Sequence, residues 1–142
     1  MKFTNSKTSE IFLNNQRYFV KRDDLLHSDF SGNKARKFYY FLKNDLQGIE
    51  KIISHGSNQS NAMYSLSVLC KLKNLKFDYY VSHLPDILSK NPNGNYKEAL
   101  KNGMNLIIGE IPQNFKENEL FISEGGAVKG ASFGIEMLSN EI

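Results

Sequence analysis

At 142 residues, with 40% hydrophobic and 12% aromatic content, the chain has the size of one ordinary domain and too much apolar side chain for disorder. Its net charge of +3 is spread along the sequence as lysines, with Arg17, Arg22 and Arg36 the arginines, which argues against a nucleic-acid-binding stripe. No charged-then-apolar leader and no apolar run of about 18 residues is present, so a soluble cytoplasmic protein without a membrane span is expected.

Ile11–Leu13 and Tyr18–Lys21 read as short strands about the turn-prone Asn14-Asn15-Gln16. A polar loop follows through Arg22-Asp23-Asp24 to Gly32-Asn33. From Lys34 the apolar positions Phe38, Phe41, Leu42 and Leu46 recur at helical spacing, and Gly48 offers a stop. Lys51–Ser54 reads as a strand running into His55-Gly56. A helix from about Asn58 to Lys73 is then predicted, with Ala62, Leu66, Leu69 and Cys70 on one face. Phe77–His83 reads as a strand, the stretch with Pro85, Pro92 and Gly94 as a loop, and Tyr96–Lys101 as a short helix. Asn105–Ile108 and Leu120–Ser123 are further strands, the second leading into Glu124-Gly125-Gly126. A last helix opens near Gly130 with Ile135, Leu138 and Ile142 along one stripe. Strands alternating with helices predict an α/β fold, a mostly parallel open sheet with helices on both faces. The last helix stops in mid-pattern at Ile142, so the chain is expected to be truncated.

Three places are candidates for chemistry. Lys34 heads the stripe that should be buried, where a lysine must snorkel out, be paired, or lose its charge. It reads either as a lysine snorkelling from the first turn or as an amine whose ammonium form the helix N-terminus, Arg36 and Lys37 disfavour, which would make it a Schiff-base nucleophile. Gly56-Ser57-Asn58-Gln59-Ser60-Asn61 lies at a strand-to-helix junction. It suits either simple capping by Ser57 or Asn58, or an anion on the free helix N–H groups. Glu124-Gly125-Gly126-Ala127 is a turn, or a ligand edge at a strand end. His55 packs or caps more readily than it catalyses. His27, His55 and His83 lack metal-ligand spacing, so no metal is expected, and Cys70 reads as a buried bystander.

Taken together, Lys21-Arg22-Asp23-Asp24, Ser31-Gly32-Asn33-Lys34-Ala35-Arg36-Lys37 and Gln59-Ser60-Asn61 resemble the 1-aminocyclopropane-1-carboxylate (ACC) deaminase and D-cysteine desulfhydrase family. These are tryptophan-synthase-β-like enzymes of fold type II that use pyridoxal 5'-phosphate (PLP). The resemblance covers roughly residues 10–142. It implies that Lys34 holds PLP as a Schiff base and later moves protons, while Asn33 shapes its approach and Asn61 bonds the ring oxygen. Ser60 would contact the substrate near its labile bond, and Gln59 with neighbouring amides would grip the substrate carboxylate. It further implies a deaminase or lyase for a small amino acid, either opening ACC to ammonia and an oxo-acid or breaking D-cysteine to sulfide, ammonia and pyruvate.

Two departures bear on substrate preference. Ser57 and Asn58 replace a glycine and an apolar residue, and no basic residue follows soon after Asn61. In the family the phosphate cup and the partner of the pyridine nitrogen come from the second half of a chain about twice as long. Residues 1–48 would then be a segment of the larger domain carrying Lys34, 49–130 the small parallel α/β domain, and 131–142 the start of the return to the larger domain. A homo-oligomer or a complementing C-terminal half is the expected partner. The alternatives are a catalytically silent interaction half and a phosphate- or nucleotide-binding module on Gly56–Asn61.

Overall fold

The computed structural model describes residues 4–142. Strands β1 (Thr8–Leu13) and β2 (Gln16–Lys21) form an antiparallel hairpin, with Leu13 opposite Gln16. Asn14 and Asn15 both take positive φ at the turn, the conformation a two-residue hairpin needs and asparagine tolerates. Helix α1 (Gly32–Lys43) starts two residues before the expected Lys34 and stops well short of Gly48. At Asn44 the backbone turns extended, and its N–H and side-chain amide both donate to the Tyr40 carbonyl, which ends the helix. Leu46, at helical spacing in the sequence, reaches the core from a loop instead.

The main sheet has four parallel strands in the order β5-β4-β3-β6: β3 (Lys51–His55), β4 (Lys76–Val81), β5 (Met104–Ile108) and β6 (Glu119–Ile122). The fold is therefore α/β with a parallel sheet. Alternation in β4 sets its faces, with Phe77, Tyr79 and Val81 buried and Asp78 and Tyr80 less so. Lys51 pairs with Asp78 at 2.8 Å and Glu119 at 3.5 Å, bridging three strands on the other face. Helix α2 (Asn61–Lys73) joins β3 to β4, and α3 (Asp86–Lys90) with α4 (Gly94–Lys101) joins β4 to β5. Both crossovers step the same way across the sheet, so right-handed connections place α2 and α4 against one face, where they touch. The chain then steps back past β3 to β6, and the sheet acquires its switch point between β3 and β6. The one-turn helix α3 lies in the stretch the sequence reads as loop.

Helix α5 (Ala131–Asn140) packs on α1, but not through the expected stripe. Ile135 is exposed and Ile142 is 90% exposed. The inward face is Phe133, Gly134 and Glu141. Phe133 stacks on Tyr39, a Cβ at Gly134 would overlap the Arg36 carbonyl, and Glu141 receives two bonds from Arg36. Backbone contact at a glycine and a demand for charge pairing outweigh the apolar stripe. One cluster of buried residues unites Phe30, Phe38 and Phe41 with Ile52, Leu66, Leu69, Tyr79 and Ile122. Among the described residues no helix is long and apolar enough to cross a membrane.

Candidate functional site

Lys34 is the third residue of α1, and its Nζ donates to the carbonyl oxygen of Gly125 at 3.0 Å. Gly125 lies in a 3-10 turn, Glu124–Gly126, at the end of β6. Lys37, one turn further along α1, donates to the same oxygen at 3.3 Å. Burial lowers the pKa of the Lys34 amine below the ordinary lysine value, and the neighbouring Lys37 charge lowers it further. Arg36 takes no part in this, contrary to its expected role beside Lys34. Only 1% exposed, its guanidinium is spent on Asp23 at 2.8 Å and Glu141 at 2.7 Å.

Asp29, Gly32, Asn33, Lys34, Asn61, Tyr64 and Asn95 are among the residues around one polar cavity of about 310 Å³. Three of the residues singled out in the sequence, Asn33, Lys34 and Asn61, thus face a common space. Asn61 opens α2, and its Oδ1 accepts from Asn95 Nδ2 at 2.8 Å. Asn95 Nδ2 is also held by the Gln59 carbonyl at 3.0 Å. With its oxygen engaged, the Asn61 amide is left to act as a donor.

Ser60 and Gln59 lie beside this cavity rather than in its wall. Ser60, not Ser57 or Asn58, is the cap of α2, and its Oγ accepts from the N–H groups of Ala62 at 3.1 Å and Met63 at 3.3 Å. The helix consequently begins three residues later than expected, and two of the N–H groups an anion would use are already satisfied. Gln59 turns to the start of α4, donating to the Asn93 carbonyl at 3.2 Å and accepting from Tyr96 N–H at 3.3 Å.

Tyr64, Asn95 and Asp29 were not anticipated. Tyr64 follows Asn61 by one helical turn, so its place in the wall was readable from spacing. Asn95 comes from the other side of β4, and nothing local marks it. Tyr64 donates to Asp29 at 3.3 Å, closing the rim. The Gly125 carbonyl is backbone, but it lies in the Glu124–Ala127 turn that the sequence offers as a turn or a ligand edge.

A second, larger cleft of about 580 Å³ lies beyond the carboxyl ends of the strands, with His55, Gly56, Tyr80, Glu110 and Glu124 around it. Gly56 has φ +142°, and a Cβ there would come within 2.7 Å of the Tyr79 hydroxyl, so only glycine fits this wall. His55 stacks on Phe121 with ring centres 5.8 Å apart. This cleft lacks an amine and lies outside the Lys34 cavity. No cluster of three or more His, Cys, Asp or Glu suited to a metal occurs among the described residues.

No protein-family model matches the chain, and no curated protein sequence does. Among solved structures, that of an ACC deaminase homologue superposes with a TM-score of 0.70 at 23% sequence identity. Over 87% of its length the chain therefore has the fold of that protein, and it spans 42% of that protein's chain.

Proposed function

We propose that the chain carries the lysine-bearing part of a PLP-dependent deaminase or lyase for a small amino acid. The observation that carries this reading is the Lys34 amine, drawn by the Gly125 carbonyl to a polar cavity it shares with Asn33 and Asn61. The fold likeness to an ACC deaminase homologue and the order of the Gly32–Lys37 and Gln59–Asn61 motifs support it.

The residues present fit the cofactor's aldehyde and ring. A primary amine held below its ordinary pKa is what condensation with an aldehyde requires. An asparagine whose oxygen is tied back has its N–H groups left to donate to a ring oxygen. When bound, PLP supplies an electron sink for negative charge at the substrate's α-carbon. The chain's residues supply position and protons. Lys34 Nζ would hold the cofactor's aldehyde and, as a free amine, would take up and return a proton, with the Gly125 carbonyl fixing its direction. Asn61 would orient the ring, and Asn33, next to Lys34 in the wall, would limit its approach. Ser60 holds the first turn of α2 so that Asn61 stays in place, and its hydroxyl also bonds the Tyr79 side chain. Binding of the substrate carboxylate by Gln59 would need its side chain to leave the start of α4.

The test is absorbance in the Schiff-base region on adding PLP, in wild type and Lys34→Ala. A band in the wild type that the variant lacks supports the reading. No band in either, with or without a complementing C-terminal half, overturns it.

A second reading, an interaction half completed by another chain, is favoured by the hairpin. Phe12 is 70% and Phe19 63% exposed, and a two-stranded ribbon with open edges is marginal on its own. A complementing half that binds and restores the PLP band would join the two readings. Binding without a band would leave the interaction reading alone standing.

A further inference from the structure

The amines of Lys34 and Lys37 reach one acceptor, the Gly125 carbonyl oxygen, at 3.0 and 3.3 Å. Their nitrogens therefore lie within about 6 Å of each other, a separation at which like charges oppose double ionisation. A carbonyl oxygen has lone pairs for two donors but no formal charge to balance two ammonium groups. The other charged and titratable groups around the pair are committed elsewhere. Arg36, on the same helix, is neutralised by Asp23 and Glu141. Asp29, in the cavity wall, accepts from Ser28 and from Tyr64 of α2. Glu124, before Gly125, has its carboxylate on the Gly56 side and pairs with neither lysine. Neither lysine makes an ion pair among the described residues.

The two lysines are not equivalent. Lys34 sits in the first turn of α1, where the positive end of the helix dipole opposes an ammonium, and Lys37 sits a turn further in, where that field has faded. Lys34 also borders the cavity, and Lys37 does not.

Resting on the lysine-bearing site above, we propose that Lys37 is a positioning residue for Lys34. Lys37, held on the same Gly125 carbonyl, sets its charge beside Lys34, so that Lys34 at the cavity is the amine free to condense. The condensation balances simply. The neutral Nζ adds to an aldehyde carbon, the carbonyl oxygen leaves as water with two protons, and a C=N bond replaces C=O. The lowered pKa of Lys34, caused by burial and then by Lys37, agrees with this assignment.

The experiment uses pyridoxal, which has the aldehyde but no phosphate, so that contact between Lys37 and a phosphate cannot enter the readout. Cyanoborohydride delivers hydride to the imine carbon and fixes the product as a secondary amine. Peptide mapping by mass spectrometry then gives the extent of modification at Lys34 as a function of pH. In Lys37→Gln the pH of half-maximal modification should rise by about one unit, which is roughly tenfold less product at pH 7. Lys37→Arg, which keeps the charge, should retain the wild-type midpoint. If Lys37→Gln fails to fold by circular dichroism, Lys37→Met keeps the packed stem and replaces it in the comparison. A wild-type midpoint in the folded Gln or Met variant, or an equal shift in the Arg variant, overturns the role of Lys37. Failure of Lys34 to react ahead of the exposed lysines in the wild type overturns the site reading itself, so the two failures are distinguishable.

Discussion

Asn61 owes its orientation to Asn95, 34 positions away in the chain. Removing that partner frees the Asn61 amide to rotate, and a neutral hydrogen bond of this kind is worth about 0.5–1.5 kcal/mol. Asn95→Ala is therefore expected to raise the Kd for PLP by about three- to tenfold, read by absorbance titration, while circular dichroism stays unchanged. An unchanged Kd would show that Asn61 does not depend on this support. Tyr79 sits behind the same loop and donates to the Ser57 carbonyl at 3.2 Å. Burial pushes its phenol up to about 12, so it remains a neutral donor across the working range. Cys70 is likewise held as a thiol, its pKa raised by burial among apolar neighbours.

Helix ends were harder to read than helix bodies, because a cap is chosen by local geometry among several competent residues. Ser57, Asn58 and Ser60 are all good caps by type, and only Ser60 has its Oγ over the free N–H groups of α2. Ser60→Ala should cost about 1 kcal/mol in urea unfolding, and Ser60→Thr much less. Loss of the PLP band in Ser60→Thr with stability intact would point to a direct role beyond capping. Helix α5 teaches the same lesson through its face. Its apolar stripe was legible, yet Gly134 decides the rotation, since α1 and α5 meet there backbone to backbone. Gly134→Ala should destabilise by about 3 kcal/mol, because a methyl group has no space beside the Arg36 carbonyl. A variant as stable as wild type would mean the helices separate freely.

Across the whole molecule, Arg36 ties the two ends of the chain together. Its guanidinium joins Asp23, just after the hairpin, to Glu141 near the last residue, and Lys21 adds a bridge to Glu141 at 3.1 Å. Bonds from Arg36 hold the Glu141 carboxyl down at about 2, against burial that pushes the other way. Burial opposes the same effect at Asp23, yet the bonds from Arg36 and Ser6 leave it below the ordinary range. For a carboxyl depressed on folding, the stabilisation is complete above its unfolded pKa and disappears as pH falls through the folded one. Stability should hold above the ordinary glutamate value of 4.5 and decline from there toward about 2. Glu141→Gln should lose about 1.5–3 kcal/mol at pH 7 and flatten that acid limb, since the buried Arg36 keeps Asp23 but loses its second charged partner. Urea midpoints measured from pH 2 to 7 check both, and an acid limb identical in the variant would remove Glu141 as its cause.

By itself the sequence determined the strand–helix alternation, the amine at position 34 at the head of a buried stripe, and the candidate turn at Gln59–Asn61. Those follow from periodicity and residue chemistry, which act over a few residues and are written locally. Tertiary structure decided that Asn33, Lys34 and Asn61 share a cavity while Ser60 caps and Gln59 turns to α4. It also decided that Arg36 faces Glu141 instead of Lys34, and that a backbone carbonyl holds both lysines. Such choices depend on which polar groups meet once distant segments pack. A buried donor takes whatever acceptor the fold brings within about 3 Å, and no local pattern specifies which one that is.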